Sequence, residues 1–483
     1  MDKEGKSLAI SNPDSSGLAA IEKVGLTAAG LGTLILFLAF FGVNLNQKVF
    51  LWLSLGLLTT GTFIYTYAKY SGLPEGIKNT GVWFDSISSK GVVGWVLGII
   101  LTGFYVLLYW FPAVLGLGTG LNGLNEGLIG LFNPLSLMLN GKPASQWFVY
   151  GTLYTLFILI LGVKFIYKYR HNNYQRIRTI VVMISQFFLA YFIPEILVAL
   201  NYNGSHIESA GYEMWYDTDI KNVWPLNYDF FYDWNMAGMG VEQYQPIGMT
   251  YLWVGILMFL VVTPVITYYV GKRWYCSWIC GCGGLAETAG DNFRQLSSKK
   301  LSAWKIERWL IHGVMILVFV MTAAVLYKHF SGNASVLGLD VYTYFQKPYG
   351  FLIGAAFSGV IGVGFYPLLG NRVWCRFGCP MAGYMGIIQR FKSRFRITTN
   401  GGQCISCGNC STYCEQGIDV RAYAQKGENI VRASCVGCGV CSAVCPRGVL
   451  KLENGPETKR ISADNPIILG NDAFSLNKEV LKD

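Results

Sequence analysis

The residues of this 483-residue chain best able to do chemistry are its 13 cysteines. Eight fall between Cys404 and Pro446, as two copies of C-x2-C-x2-C-x3-C: CISCGNCSTYCE and CVGCGVCSAVCP. That spacing brings four thiolates within reach of one iron–sulfur cubane, and in a doubled register the fourth cysteine of each copy serves the other cluster. The expected ligands are Cys404, Cys407, Cys410 and Cys445 for one [4Fe-4S] cluster, and Cys435, Cys438, Cys441 and Cys414 for a second. Gly408, Gly437 and Gly439 let the backbone fold closely round sulfide and offer it N–H groups. Zinc also accepts C-x2-C pairs, but four thiolates complete a zinc site and leave the doubled register without a purpose. Glu415 follows Cys414 where such copies often have proline. It changes a turn rather than a ligand, and it sets a carboxylate where local charge lowers a cluster's potential.

The other five cysteines lie in an internal repeat. Arg273-Trp-Tyr-Cys276-Ser-Trp-Ile-Cys280 precedes Gly283-Gly284, and Arg372-Val-Trp-Cys375-Arg-Phe-Gly-Cys379 precedes Ala382-Gly383. C-x3-C sets two thiols one helical turn apart on one face. Two such pairs supply the four thiolates of a third cluster. Cys282 is a spare thiol, available to replace a neighbour as ligand, and stands where the second copy has Met381. A redox disulfide, a copper site of soft thiolates and inert buried thiols are the other readings.

The elements that must position these thiols are membrane spans. Hydrophobic residues are 52% and charged residues 14% of the chain, a balance unlike that of a soluble protein of this length. Long uncharged runs cause it, at about 24–45, 49–68, 91–117, 147–163, 179–200, 248–270, 309–327 and 350–369. The expected fold is mostly α: a polytopic membrane bundle of about eight spans, with a C-terminal two-cluster ferredoxin-like domain. The expected divisions are a polar lead (1–23), N-terminal helices with an acidic aromatic outer loop (24–247, the loop being 201–247), a membrane core (248–397), the ferredoxin-like domain (398–455) and a polar tail (456–483). The lead has neither the basic start nor the small-residue cleavage site of a signal peptide. Residues 381–397 read as a basic amphipathic helix on the membrane surface.

Lysine and arginine crowd the connections on one side, as in 164–178, 271–306 and 372–396. By the positive-inside rule that side is the cytoplasm of a bacterial inner membrane, and it holds both termini and the ferredoxin-like domain. Both C-x3-C pairs then emerge at the inner surface. The net charge of +10 finds its partner in anionic lipid and calls for no nucleic acid. The outer segment 118–146 reads either as a plain connection or as a re-entrant turn. Segment 201–247 carries seven acids against one base, with clustered aromatics. It suits either docking of a partner or anchoring at the headgroups.

The histidines are His171, His206, His312 and His329, and no C-x-x-C-H occurs. Only His312 lies within a span, so a bis-histidine haem has no ligand pair. Crossing about 30 Å of hydrocarbon then calls for a lipid-soluble carrier, and quinone is the natural one. Ionisable groups inside spans default to function, which singles out His312 and Glu195, the latter beside Pro194, for quinone or proton contact.

The two C-x3-C motifs, the second followed by Pro380, together with the two-cluster segment, resemble the NapH/NosR-type membrane-bound polyferredoxins. Those are quinol-linked electron-transfer proteins serving periplasmic nitrate and nitrous oxide reductases. The same motifs are similar to the CcoG/RdxA/FixG-type cytochrome oxidase accessory proteins, which handle copper. The resemblance covers roughly residues 250–450 and implies metal ligation by Cys276, Cys280, Cys375, Cys379 and the eight ferredoxin cysteines. Gly281-Cys282 stands in the first motif where the family has proline, and no flavin-attachment Ser/Thr-Gly-Ala-Thr motif is present. The function expected is membrane-bound electron transfer between the quinone pool and a partner oxidoreductase or respiratory complex, as a quinol-linked oxidoreductase component. The alternatives are a maturation factor reducing copper for an oxidase, and a structural iron–sulfur subunit.

Overall fold

Inside hydrocarbon a single segment satisfies its own backbone by coiling into a helix, and the apolar runs do so. The computed structural model describes residues 19–43, 45–71, 91–120, 123–197, 224–226, 253–333, 335–391, 393–400, 403–454, 468–469 and 474–475. The long apolar helices α1 (Ala20–Phe40), α2 (Gln47–Ser71), α3 (Val92–Trp110), α4 (Gln146–Lys168) and α5 (Asn173–Ile196) come first. A shorter apolar helix, α6 (Trp253–Tyr269), is followed by α7 (Gly281–Thr288) and the long α8 (Leu301–Ser331). Among the described residues six helices, α1 to α5 and α8, are long and apolar enough to cross a membrane, and the chain is a multi-pass membrane protein.

The expected count of about eight spans thus resolves into six full helices and two irregular ones. The sixth run is α6, and its expected start at 248 lies outside the described residues. The eighth is α9, a helical run made of Tyr342–Gln346, Lys347–Tyr349 and Gly350–Ile361, largely in π-helical turns. It begins before 350, because its first turns are aromatic and polar, and stops at Gly362. All of 201–247 except 224–226, and most of 1–23 and 456–483, also lie outside the described residues.

Close approach of small residues holds α1 on α2: a Cβ on Gly25 would stand 2.6 Å from the Tyr65 backbone nitrogen, a packing mode common between membrane helices. Segment 118–146 carries two short helices packed on the ends of α1 to α4. These helices, Gly127–Leu131 and Asn133–Asn140, bury Leu128, Ile129, Leu131 and Phe132 against Ala39, Leu51, Leu108 and Phe148.

After α9 and the one-turn helix Tyr366–Leu369 come α10 (Val373–Phe377) and α11 (Pro380–Phe391). The ferredoxin-like segment is then framed by β1 (Phe395–Thr399) and β2 (Leu450–Asn454), antiparallel from Phe395↔Asn454 to Thr399↔Leu450. Its core joins Ile397, Ile418, Val420, Ala424, Ile430 and Val449 to the cysteines. It docks on the bundle where Val440, Ala443 and Val444 meet Phe165 and Tyr169 at the end of α4.

Candidate iron–sulfur sites and the ion pairs between them

The ferredoxin-like segment encloses two cavities. One is lined by Cys404, Cys407, Cys410 and Cys445, the other by Cys414, Cys435, Cys438 and Cys441. In each, the fourth cysteine comes from the other copy of the motif. Gly408, Gly437 and Gly439 have φ of +81°, +71° and +71°, a region closed to most side chains. These left-handed residues turn the backbone round each cavity. The first cavity faces outward, with Cys407 exposed. The second lies beneath the membrane bundle. The Tyr174 hydroxyl donates to the Gly437 carbonyl at 2.9 Å, and Gln175 Nε2 donates to the Cys438 carbonyl at 2.6 Å. Lys272 Nζ donates to the Ile430 carbonyl at 2.7 Å.

Among the described residues no three His, Cys, Asp or Glu side chains converge on a single metal ion. The thiols instead surround spaces, as ligands of a polynuclear cluster do, and all-thiolate donors are the chemistry of iron–sulfur ligation. The residues present fit that group.

The C-x3-C cysteines sit elsewhere than their sequence suggests. From the end of α6 the chain turns back, and the π-helical turn Tyr275–Ile279 climbs beside α5. There Gln186 Nε2 donates to the Ile279 carbonyl. At Gly281 an added Cβ would strike the Tyr154 hydroxyl. Tyr154 is about 12 Å along α4 from Gln146 and about 21 Å from Lys168, at 1.5 Å per residue. α7 then descends past Ile158 and Val182. The second copy does likewise through α10 and α11, the latter packing on α8 at Ile311 and Met315. Both cysteine turns are therefore re-entrant, deep among the helices, rather than emerging at the membrane surface as expected.

Cys276, Cys375 and Cys379 are buried with Trp274, Trp374, Met381 and Met385, while Cys280 and Cys282 are half-buried. The copies lock reciprocally. Arg273 Nη1 donates to the Cys375 carbonyl at 3.3 Å, and Arg372 Nη1 donates to the Cys276 carbonyl at 3.0 Å. Arg372 Nη1 also lies 3.9 Å from Cys375 Sγ.

A chain of buried ion pairs runs from this site to the ferredoxin-like segment. Glu287 of α7 pairs with Arg178 of α5 and, at 3.0 Å, with Arg372. Arg372 reaches Glu415 at 3.0 Å, and Glu415 meets Arg294 at 2.7 Å. Arg294 pairs with Asp291 at 2.7 Å, and Asp291 with Lys168 at 2.5 Å. Four cations alternate with three anions, leaving positive charge beside thiolates that carry negative charge. Glu415 does not act as the free carboxylate anticipated beside Cys414, because two arginines neutralise it. Burial opposes its charge, yet Arg294, Arg372 and Arg178 outweigh burial and hold the carboxyl at about 2. Asp291, likewise opposed by burial, is held at about 2 by Lys168 and Arg294. Sequence reasoning passed over Glu287, Asp291 and Arg294. Their signal was the occurrence of acids within a basic connection, which served there only to count charge.

The other two candidates stand apart from the cysteines. His312 is exposed on α8, turned away from the face that Ile311 and Met315 offer to the cysteine turns. Glu195, in the π-helical end of α5 that holds Pro194, accepts from Asn140 Nδ2 at 2.7 Å.

The family description "4Fe-4S binding domain" matches residues 251–303 and 352–398, which contain the two C-x3-C copies. The description "4Fe-4S dicluster domain" matches 396–446, the doubled register. The chain carries 4Fe-4S iron–sulfur domains. Among similar proteins is YccM of Escherichia coli (strain K12), whose name proposes electron transport; it is 28% identical over 175 residues, 34% of this chain and 47% of that protein. The methylamine utilization ferredoxin-type protein MauN of Paracoccus denitrificans is 27% identical over 168 residues, 34% of this chain and 55% of that protein. MauN of Methylobacillus flagellatus is 23% identical over 159 residues, 32% of this chain and 53% of that protein. The chain thus spans about half the length of the curated relatives it matches. No solved structure matches it. The domains and relatives accord with the resemblance to membrane polyferredoxins.

Proposed function

We propose that this iron–sulfur electron-transfer protein passes electrons between the quinone pool and a partner oxidoreductase, in the cytoplasmic membrane of a bacterium, with the ferredoxin-like segment and both termini on the cytoplasmic side. Two [4Fe-4S] clusters are assigned to the ferredoxin cysteines and a third to Cys276, Cys280, Cys375 and Cys379. When bound, the clusters supply one-electron transfer.

The observation that carries this reading is the order of the three thiol sets. One lies among the helices, beside Tyr154 in the middle of α4. The Cys414 set lies next, joined to it through Arg372 and Glu415. The Cys404 set comes last, with Cys407 exposed to a partner. The chain's own residues fix that order: Tyr174 and Gln175 pin the middle set to α5, and the tryptophans and methionines round Cys276 and Cys375 exclude water from the deepest.

Anaerobically purified protein tests it. About twelve iron atoms and as much acid-labile sulfide per chain are expected for three cubanes. Three EPR-active centres should appear in a redox titration, and menaquinol should reduce them. Clusters that dithionite reduces but quinols do not would overturn the quinone reading. Absence of iron and sulfide would overturn the whole.

A further inference from the structure

Tyrosines gather beside the first cysteine turn, and nothing described above gives them work. Tyr105 of α3 and Tyr150 of α4 face each other with their hydroxyls 3.4 Å apart. Tyr154, one turn along α4, donates to Gln186 Oε1 of α5 at 2.9 Å. The same amide's nitrogen holds the carbonyl of Ile279, the residue before Cys280. A Cβ added at Gly281, between Cys280 and Cys282, would strike the Tyr154 hydroxyl. Ring centroids step outward from the turn: Tyr154 to Tyr150 at 5.6 Å, Tyr150 to Tyr105 at 5.9 Å, and Tyr105 stacked on Tyr109 at 6.5 Å. Tyr105 is buried, whereas Tyr150 and Tyr154 keep part of their surface open.

We propose that this row of phenols on α3 and α4, which meets the first cysteine turn at Gly281, binds a quinone headgroup. The proposal rests on the quinone reading above and gives it a location, in place of His312 or Glu195. A quinone ring is flat and apolar, carries two carbonyl acceptors and offers no donor when oxidised. Phenols match it on both counts, with rings to stack on and O–H groups to donate. The Tyr105–Tyr150 contact is well beyond the usual 2.7–2.8 Å for O–H···O, so a carbonyl can take that proton at little cost. Tyr154 and Gln186 join the phenols to the backbone that carries Cys280. Polar groups inside a helical bundle are expensive to keep, and the partly open surfaces of Tyr150 and Tyr154 leave the row accessible to a ligand.

The test uses the full chain in lipid nanodiscs, with a short-tailed azidoquinone as photolabel and menadiol as reductant. The label should map to peptides of α3 and α4. Tyr150→Phe and Tyr154→Phe should each slow menadiol-driven cluster reduction about tenfold, the worth of one well-placed donor. The dithionite-reduced EPR signals should stay unchanged in Tyr150→Phe, which shows that this variant folds and holds its clusters. His312→Ala and Glu195→Gln should keep the wild-type rate. A label that maps to α8 near His312 or to α5 near Glu195, or phenylalanine variants that react at the wild-type rate, would overturn the site. A wild type whose clusters ignore menadiol overturns the quinone reading itself. In that event the photolabel alone decides whether the phenols bind the headgroup.

Discussion

The two cysteine regions are built on opposite plans. In the ferredoxin-like segment all eight thiols come from one short stretch, its two halves close round their cavities, and a two-stranded frame supports them. At the re-entrant site the cysteines come from two copies far apart in the chain. Much of the support there is borrowed: Tyr154 and Gln186 from α4 and α5, Ile311 and Met315 from α8, and the arginine of the opposite copy. A local site needs only its own loop, whereas a distributed site needs the whole bundle to be folded first.

Cysteine replacement gives the sharpest division between the plans. Cys375→Ser should abolish one EPR centre and leave the two ferredoxin signals, while Cys441→Ser should remove a ferredoxin signal and spare the re-entrant one. Simultaneous loss of all three in either variant would break the comparison. Arg372→Gln should come next in size, because it strands Glu287 and Glu415 as buried charges with fewer partners. Removing one member of a buried pair costs about 3–5 kcal/mol, read as a lower thermal midpoint in detergent. Both regions should loosen together, since Arg372 touches both.

Acid should act through the same chain of ion pairs. Asp291 titrates near 2 when folded against a reference of 3.8, so the unfolded chain binds more protons between those values. Its contribution is complete above about 3.8 and disappears as pH falls through about 2, by linkage. Asp291→Asn should flatten the acid limb of an unfolding curve over that window. The smallest effect belongs to Tyr174→Phe, which deletes one bond to Gly437 worth about 1 kcal/mol. It should raise hydrogen exchange at the seam between α5 and the ferredoxin-like segment without altering the re-entrant site.

The same contrast decides what could be read in advance. The division of the eight ferredoxin cysteines between two cavities is legible because it is written as local spacing, and the apolar runs because hydrocarbon demands length. The C-x3-C repeat is visible as a motif, but not its depth. Arg273 and Arg372 look like residues that mark a surface, and only the folded chain supplies the partners that let them sit inside. Glu287, Asp291 and Arg294 escaped for the same reason, since each has a partner in a distant segment: Arg178 and Arg372, Lys168, and Glu415 respectively. Tyr105, Tyr150, Tyr154 and Gln186 come from three helices and share no pattern along the chain. His312 and Glu195 drew notice as ionisable residues within apolar runs, a signal blind to which way a helix face turns.

The crossed arginines set a timetable for biogenesis. Residue 276 leaves the ribosome about a hundred residues before 375, and at about 5–20 residues per second it waits several seconds or more. Until its twin arrives, the first turn lacks both the guanidinium over its carbonyl and half of its sulfur. A cluster shared by the two copies, as proposed above, would find only a half-made receptacle in that interval, and its loading would follow synthesis of the second copy.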